Sequence, residues 1–152
     1  MSNFSKVYDF LLHTQKSHAR IAEFYRSLSL DATNERVKLL LNILVKHELE
    51  LLRFVDSYIE SSPVEVRETF IQFDREQSVE HLFSPDFERS QINSADVENI
   101  AQRFDEYFCD LYEGLSGADE STNVQELFEN LRQHMAQEKK RLTMDISSME
   151  DM

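Results

Sequence analysis

Apolar residues recur every three or four positions along four long stretches of this chain, which is the spacing of one face of an α-helix. The four stretches cover residues from about 3–30, 34–60, 95–115 and 123–149. Thr33 precedes the second stretch, and a threonine at that place can cap the start of a helix. The pattern therefore predicts four long helices.

The connections between the predicted helices differ in length. Short loops join the first helix to the second and the third to the fourth, whereas residues 61–94 separate the two pairs. A helix of about 26 residues is about 39 Å long, so this connection can return the chain to the end from which it started. Pro63 is well placed in the first turn of a short helix within it. This order predicts a four-helix bundle of two antiparallel hairpins joined by a long crossover.

The composition favours one helical domain over residues 1–152. Of the 152 residues, 41% are hydrophobic and 11 are Phe, which is enough to build a core. Sheets and tight hairpins need turn residues, but the chain has only two Gly and two Pro. These counts favour an all-α fold.

The net charge and the short apolar runs argue against two classes of partner, nucleic acids and membranes. The formal net charge is -13, and such an acidic surface repels nucleic acid and anionic membranes. The apolar runs are too short to span a bilayer, and the sequence "MSNFSKVYDF" does not predict a signal peptide. The single cysteine, Cys109, cannot form an internal disulfide. We therefore expect a cytoplasmic protein, and aromatic residues of the crossover could form a patch for a homodimer.

Two acidic residues interrupt the apolar stripes in equivalent places. Glu48 lies within "LLNILVKHELELLRFV" on the second predicted helix, and Glu138 lies on the fourth. The first and third helices also end alike, with "EFYRSLS" and "DLYEGLS". His18 and Asp105 lie seven residues before the tyrosines of these segments, on the same helix face. The two hairpins therefore form an internal repeat with polar residues at inward positions.

This repeat resembles the ferritin-like superfamily, and rubrerythrin-like proteins in particular. In each half, that family carries a Glu about seven residues before an aromatic residue on one helix and Glu-x-x-His on the next. Together these side chains hold a pair of iron or manganese ions. The resemblance implies that His18, Glu48, Asp105 and Glu138 occupy four of the ligand positions.

The chain departs from the family pattern at both histidine positions. Leu51 and Arg141 stand there, and neither side chain is a metal ligand. His47 lies one position away from the inward stripe and is predicted to face sideways, whereas His134 could face inward. The first interpretation is an ion cluster without metal, formed by Arg141, Glu48, Glu138 and His18. The second is a weakened metal site formed by His18, Glu48, Asp105 and Glu138, to which His134 could contribute if it faces inward.

These interpretations lead to different functions. The leading hypothesis is a non-catalytic ferritin-like bundle that has lost its di-metal centre and acts as a soluble binding or regulatory protein, without a cofactor. The alternative is a metal-binding redox protein with an altered iron or manganese site. A third hypothesis, an ordinary helical interaction module, places the glutamates in solvent. The sequence favours a protein that is not an enzyme, but it assigns neither a partner nor a reaction.

Overall fold

The computed structural model describes residues 3–73, 80–84, 87–118 and 122–150. These residues are mostly helical, which confirms the all-α class. The helices are α1 (Val7–Asp31), α2 (Glu35–Ser61), α3 (Val64–Arg67), α4 (Ser94–Ala118) and α5 (Thr122–Glu150). Part of the predicted crossover (74–79 and 85–86) and the connection between α4 and α5 (119–121) lie outside the described residues.

Helices α1 and α2 pack side by side in opposite directions. Gln15 near the start of α1 donates a hydrogen bond to Asp56 near the end of α2. Ser29 near the end of α1 donates to Asn42 in the first half of α2. Because the partners follow one another in reverse order, the two helices are antiparallel.

Helices α2 and α5 are also antiparallel, as are α1 and α4, because their contacting residues follow one another in reverse order. The pairs are Tyr58–His134, Arg36–Met149, Tyr25–Phe104 and Phe10–Tyr112. Helices α1 and α5 therefore run in one direction, and α2 and α4 run in the other. Within the described ranges, no helix is both long and apolar enough to cross a membrane.

The start of α1 differs from the prediction, because residues 3–6 are not helical. They form strand β1 (Asn3–Lys6), which pairs in antiparallel fashion with strand β2 (Phe70–Phe73). The backbone N–H of Val7 then donates to the carbonyl of Thr69. The backbone groups of this terminal segment are thus satisfied by a distant strand, which no local periodicity can reveal.

The cap of α2 is also one residue later than predicted. The side-chain oxygen of Asn34 accepts hydrogen bonds from the backbone N–H groups of Arg36 and Val37, as an N-cap does. Thr33 instead donates its hydroxyl to the carbonyl of Ser90 in the long connection. The prediction of Thr33 as the cap is therefore wrong. The short helix expected at Pro63 is present as α3, directly after that proline.

The core lies between the four long helices and is rich in aromatic side chains. The largest fully buried side chains include Tyr25, Tyr112, Phe10, Phe104, Phe108 and Phe128. Residues of the long connection cover the outside, among them Val66, Ile71 and Ile92, which are buried. The polar residues described next lie within this apolar surround.

Candidate functional site

Among the described residues, two imidazoles and three carboxyl groups lie buried between the long helices, and we call these five side chains the polar cluster. Its members are His18 on α1, His47 and Glu48 on α2, Asp105 on α4 and Glu138 on α5. None of them is more than 5% exposed. Acidic residues are almost never so deeply buried unless they are paired. The hypothesis that the glutamates face solvent is therefore wrong for both Glu48 and Glu138.

His18 and Glu48 form the tightest contact of the polar cluster. The Nδ1 atom of His18 lies 2.7 Å from Oε2 of Glu48, which is a short hydrogen bond between two buried groups. The imidazole of His18 also stacks on Phe108, with 4.2 Å between the ring centroids and 23° between the planes. These contacts fix the orientation of both side chains.

His47 lies between two other carboxylates without a hydrogen bond to either. Its Nε2 atom is 3.5 Å from Oδ1 of Asp105, and its Nδ1 atom is 3.6 Å from Oε1 of Glu138. Ordinary N–H···O distances are about 2.7–3.2 Å, and within the described part of the chain neither buried ring nitrogen has a hydrogen-bond partner at such a distance. A buried polar atom left in this state costs about 1–3 kcal/mol. The imidazole is thus surrounded by acceptors that stand too far away to satisfy it.

The surroundings of His47 favour positive charge. Burial by itself lowers the pKa of this imidazole, but the carboxylates of Asp105, Glu48 and Glu138 act in the opposite sense. The net effect is a pKa raised above the usual value for histidine. The electrostatics at this point of the core therefore stabilise a cation.

The two tyrosines of the internal repeat lie next to the polar cluster. Tyr25 and Tyr112 are both fully buried, and burial is the main reason that the pKa of each hydroxyl is raised. The charge of Glu48 raises both values further, while a hydrogen bond with Thr14 partly offsets the effect at Tyr112. Both residues therefore stay neutral and present hydroxyl groups, not phenolates, to the core.

Two of the predicted site residues lie outside the polar cluster. The Arg141 side chain is 64% exposed, and its Nη1 atom reaches Oε2 of Glu138 from the surface at 3.6 Å. The prediction that Arg141 enters the core is wrong, since burying a guanidinium costs several kcal/mol of desolvation. His134 stacks on Phe54, with 4.4 Å between the ring centroids, and contacts Tyr58 edge-on. It belongs to an aromatic group between α2 and α5.

The prediction that the side chain of His47 faces sideways is wrong. His47 faces inward and is buried. Helix α2 contacts α1, α4 and α5, so its buried surface is wider than one stripe. A sequence signal for this width exists in the adjacent apolar pairs at residues 40–41 and, four residues later, 44–45, which are followed three residues later by residues 47–48. Paired inward positions every three to four residues indicate a helix that is buried on more than one side.

The arrangement of three of these residues suits a single metal ion. One ligand atom each of His47, Glu48 and Asp105 lie within 4.8 Å of one another. Metal ions bind imidazole nitrogen and carboxylate oxygen at about 2.0–2.2 Å, so ligands of one ion lie roughly 3–4 Å apart. The 3.5 Å between His47 and Asp105 falls in this range. Either ring nitrogen of His47 could bind an ion, since neither forms an ordinary hydrogen bond with a described residue.

Comparison with protein-family models, curated proteins and solved structures gives no match for this chain. Information about the function therefore lies in the structure, and chiefly in the polar cluster.

Proposed function

We propose that the protein binds one metal ion through His47, Glu48 and Asp105, with Glu138 as a neighbouring carboxylate. The observation that carries this proposal is His47, which is buried between acidic groups and whose ring nitrogens form no ordinary hydrogen bond with any described residue. A metal ion would give one nitrogen a partner. The other nitrogen could then be held by a carboxylate, which is the usual arrangement of a metal-binding histidine.

Charge balance supports the same proposal. The polar cluster contains three carboxylates, and its two imidazoles can supply at most two positive charges. Arg141, which would supply a third, stays at the surface. An excess negative charge in an apolar core is unfavourable unless a cation compensates it. A divalent ion bound by a neutral His47 would compensate two of the three negative charges.

The residues around the proposed ligands are placed to orient them. His18 holds one oxygen of Glu48 at 2.7 Å and leaves the other oxygen available. Glu138 faces Nδ1 of His47, on the side of the ring away from Asp105. Imidazole and carboxylate ligands suit iron, manganese or zinc. A bound iron or manganese ion would supply one-electron redox chemistry, in keeping with a metal-binding redox protein.

We further propose that the four long helices form a ferritin-like bundle in which a two-metal site has become a one-metal site. The helix directions support this proposal, because α1 and α5 run opposite to α2 and α4. The repeated tyrosines and acids support it as well. Leu51 is buried among apolar residues where the family would have an imidazole, so His47 would be the replacement ligand.

Metal analysis tests the proposed site directly. Protein purified without chelator should contain iron or manganese, and metal-free protein should bind about one equivalent of Mn²⁺ in equilibrium dialysis. Glu48→Gln should lower the occupancy strongly, because a neutral amide is a poor ligand. Glu60→Gln removes one exposed carboxylate of the same helix and serves as the control. Equal occupancy in both variants, or no binding by the unaltered protein, would refute the proposal.

A second candidate function is the non-catalytic binding protein without metal. A partly apolar groove favours it, because the exposed Leu39 and the half-buried Ile43 of α2 line a space of about 420 Å³ together with the buried Met149 of α5. Exposed apolar grooves of this kind often bind other proteins. A homodimer is one form of this proposal, and the exposed Phe70 of the long connection is a candidate contact. Light scattering at several protein concentrations would test it, since a constant monomer mass excludes the dimer.

A further inference from the structure

A small cavity connects the polar cluster to the surface between α2 and α5. Its volume is about 40 Å³, and it is lined on the inside by His47 and Glu138. Lys46, Glu50 and Arg141 line the same cavity and belong to the outer surfaces of the two helices. A water molecule needs about 10–15 Å³ of such volume. The cavity can therefore hold a few water molecules at most, and it leads to the unpartnered histidine.

Arg141 lies at the outer end of this cavity. It is one helical turn beyond Glu138 on α5, and its Nη1 atom is 3.6 Å from Oε2 of that residue. The other oxygen of Glu138 faces His47. The carboxylate of Glu138 is thus held between the surface arginine on one side and the buried imidazole on the other.

We propose that this cavity is the route by which a divalent cation enters and leaves the polar cluster, and that Arg141 restricts the passage by holding the carboxylate of Glu138 across it. This inference rests on the proposed metal site. A hydrated cation at the surface would first meet the acidic Glu50 and Asp145, which also line the cavity. It would then have to pass between His47 and Glu138.

Glu138 is the group that has to move for this passage. Its carboxylate can turn outward, take the place of water on the cation, and turn back toward His47. The contact with Arg141 opposes this movement, because the carboxylate has to leave Nη1 of Arg141 in order to turn. Because Arg141 is mostly exposed, the contact is weak and can open repeatedly. Its effect should therefore appear in the rate of exchange more than in the final occupancy.

This mechanism has a kinetic signature that simple charge repulsion lacks. A positive charge near a cation site weakens binding, so its removal alone should speed binding and slow release. Removal of a restriction on the passage should speed both binding and release. A faster release in a variant that has lost a positive charge can thus be attributed to the passage.

The test measures Co²⁺ binding and release by stopped-flow absorbance, with release started by an excess of chelator. Arg141→Ala should speed both processes about two- to fivefold, the range expected from loss of an exposed arginine–glutamate contact, and leave the dissociation constant nearly unchanged. Arg132→Ala is a matched control, because Arg132 also pairs with a glutamate three residues away on α5. It should leave both rates unchanged.

Each outcome is decisive. Rates in Arg141→Ala equal to those in Arg132→Ala would overturn the proposed route while the metal site stands. Faster binding with slower release would also overturn it, because charge alone would then explain the effect. Absence of Co²⁺ binding by the unaltered protein in equilibrium dialysis would overturn the metal site and the route together.

Discussion

The contact between His18 and Glu48 should be the strongest single interaction of the polar cluster in the metal-free protein. Both side chains are 1% exposed, and their nearest polar atoms are 2.7 Å apart. A hydrogen bond to a charged group contributes about 1.5–3 kcal/mol. Removal of one partner of a buried ion pair costs about 3–5 kcal/mol. We therefore expect a coupling energy of about 3 kcal/mol between the two residues.

A double-mutant cycle separates this coupling energy from the effects that each substitution has on the rest of the core. His18→Phe keeps the stacking on Phe108, and Glu48→Leu keeps an apolar side chain of similar size. Either change alone should lower the free energy of unfolding, because it leaves one polar partner buried alone. Replacement of Glu48 also removes the repulsion between its carboxylate and that of Asp105. This loss occurs equally in the Glu48→Leu variant and in the double variant, so it cancels in the cycle. The double variant should therefore be more stable than the two single effects predict.

Urea denaturation of the four proteins in the presence of a chelator gives the required free energies. The exposed pair of Arg132 and Glu129 offers a control cycle, for which we expect a much smaller coupling energy, because solvent screens the two charges. A coupling for His18 and Glu48 no larger than that of the control would refute the inferred buried contact. If Glu48→Leu does not fold, Glu48→Gln can replace it, with an expected coupling of about 1–2 kcal/mol because the amide still accepts a hydrogen bond.

Three further predictions follow from the same structure. The raised pKa of His47 means that this imidazole holds a proton more tightly in the folded protein than in the unfolded chain, where its pKa is near 6.5. The protonated imidazole therefore stabilises the fold fully below that pH. This contribution to the free energy of unfolding is lost as the pH rises through the pKa of the folded state. Urea denaturation of metal-free protein at increasing pH should therefore show a decline that is smaller in His47→Gln, and equal declines would contradict the assignment. Tyr25 and Tyr112 should ionise at higher pH than an exposed tyrosine. A pH titration of tyrosinate absorbance should therefore show a fraction that ionises only at high pH, and Tyr112→Phe should reduce this fraction. An unchanged titration would place Tyr112 outside the core. Asn34→Ala should lower stability by about 1 kcal/mol through loss of the cap, whereas Thr33→Ala should have a smaller effect, and the reverse order would restore Thr33 as the cap.

The long helices could be predicted from the sequence because their apolar spacing is regular over many turns. Strand β1 could not, since its partner β2 lies more than sixty residues away and residues 3–6 continue the helical spacing of α1. Local pattern specifies which face of an element is apolar. It does not specify whether a terminal segment finds a better hydrogen-bond partner elsewhere in the fold.

The polar cluster was predictable in part for a similar reason. Spacing places Glu48, Glu138, His18 and Asp105 on inward faces, and all four are buried. Spacing also places Arg141 one turn after Glu138, but its long side chain can leave the core and keep its charge in water. Position on a helix face therefore predicts burial well for a short acidic side chain and poorly for a long basic one.

The adjacent residues His47 and Glu48 explain how the polar cluster can form without the Glu-x-x-His pattern. Neighbouring residues of a helix point about 100° apart, so they contact different neighbouring helices. On α2 this angle is useful, because Glu48 reaches His18 on α1 while His47 reaches Asp105 on α4 and Glu138 on α5. An ion near these side chains would be held by one helix from two directions. A site of this kind needs a helix buried on several sides, and the position of α2 between the other three long helices meets that need.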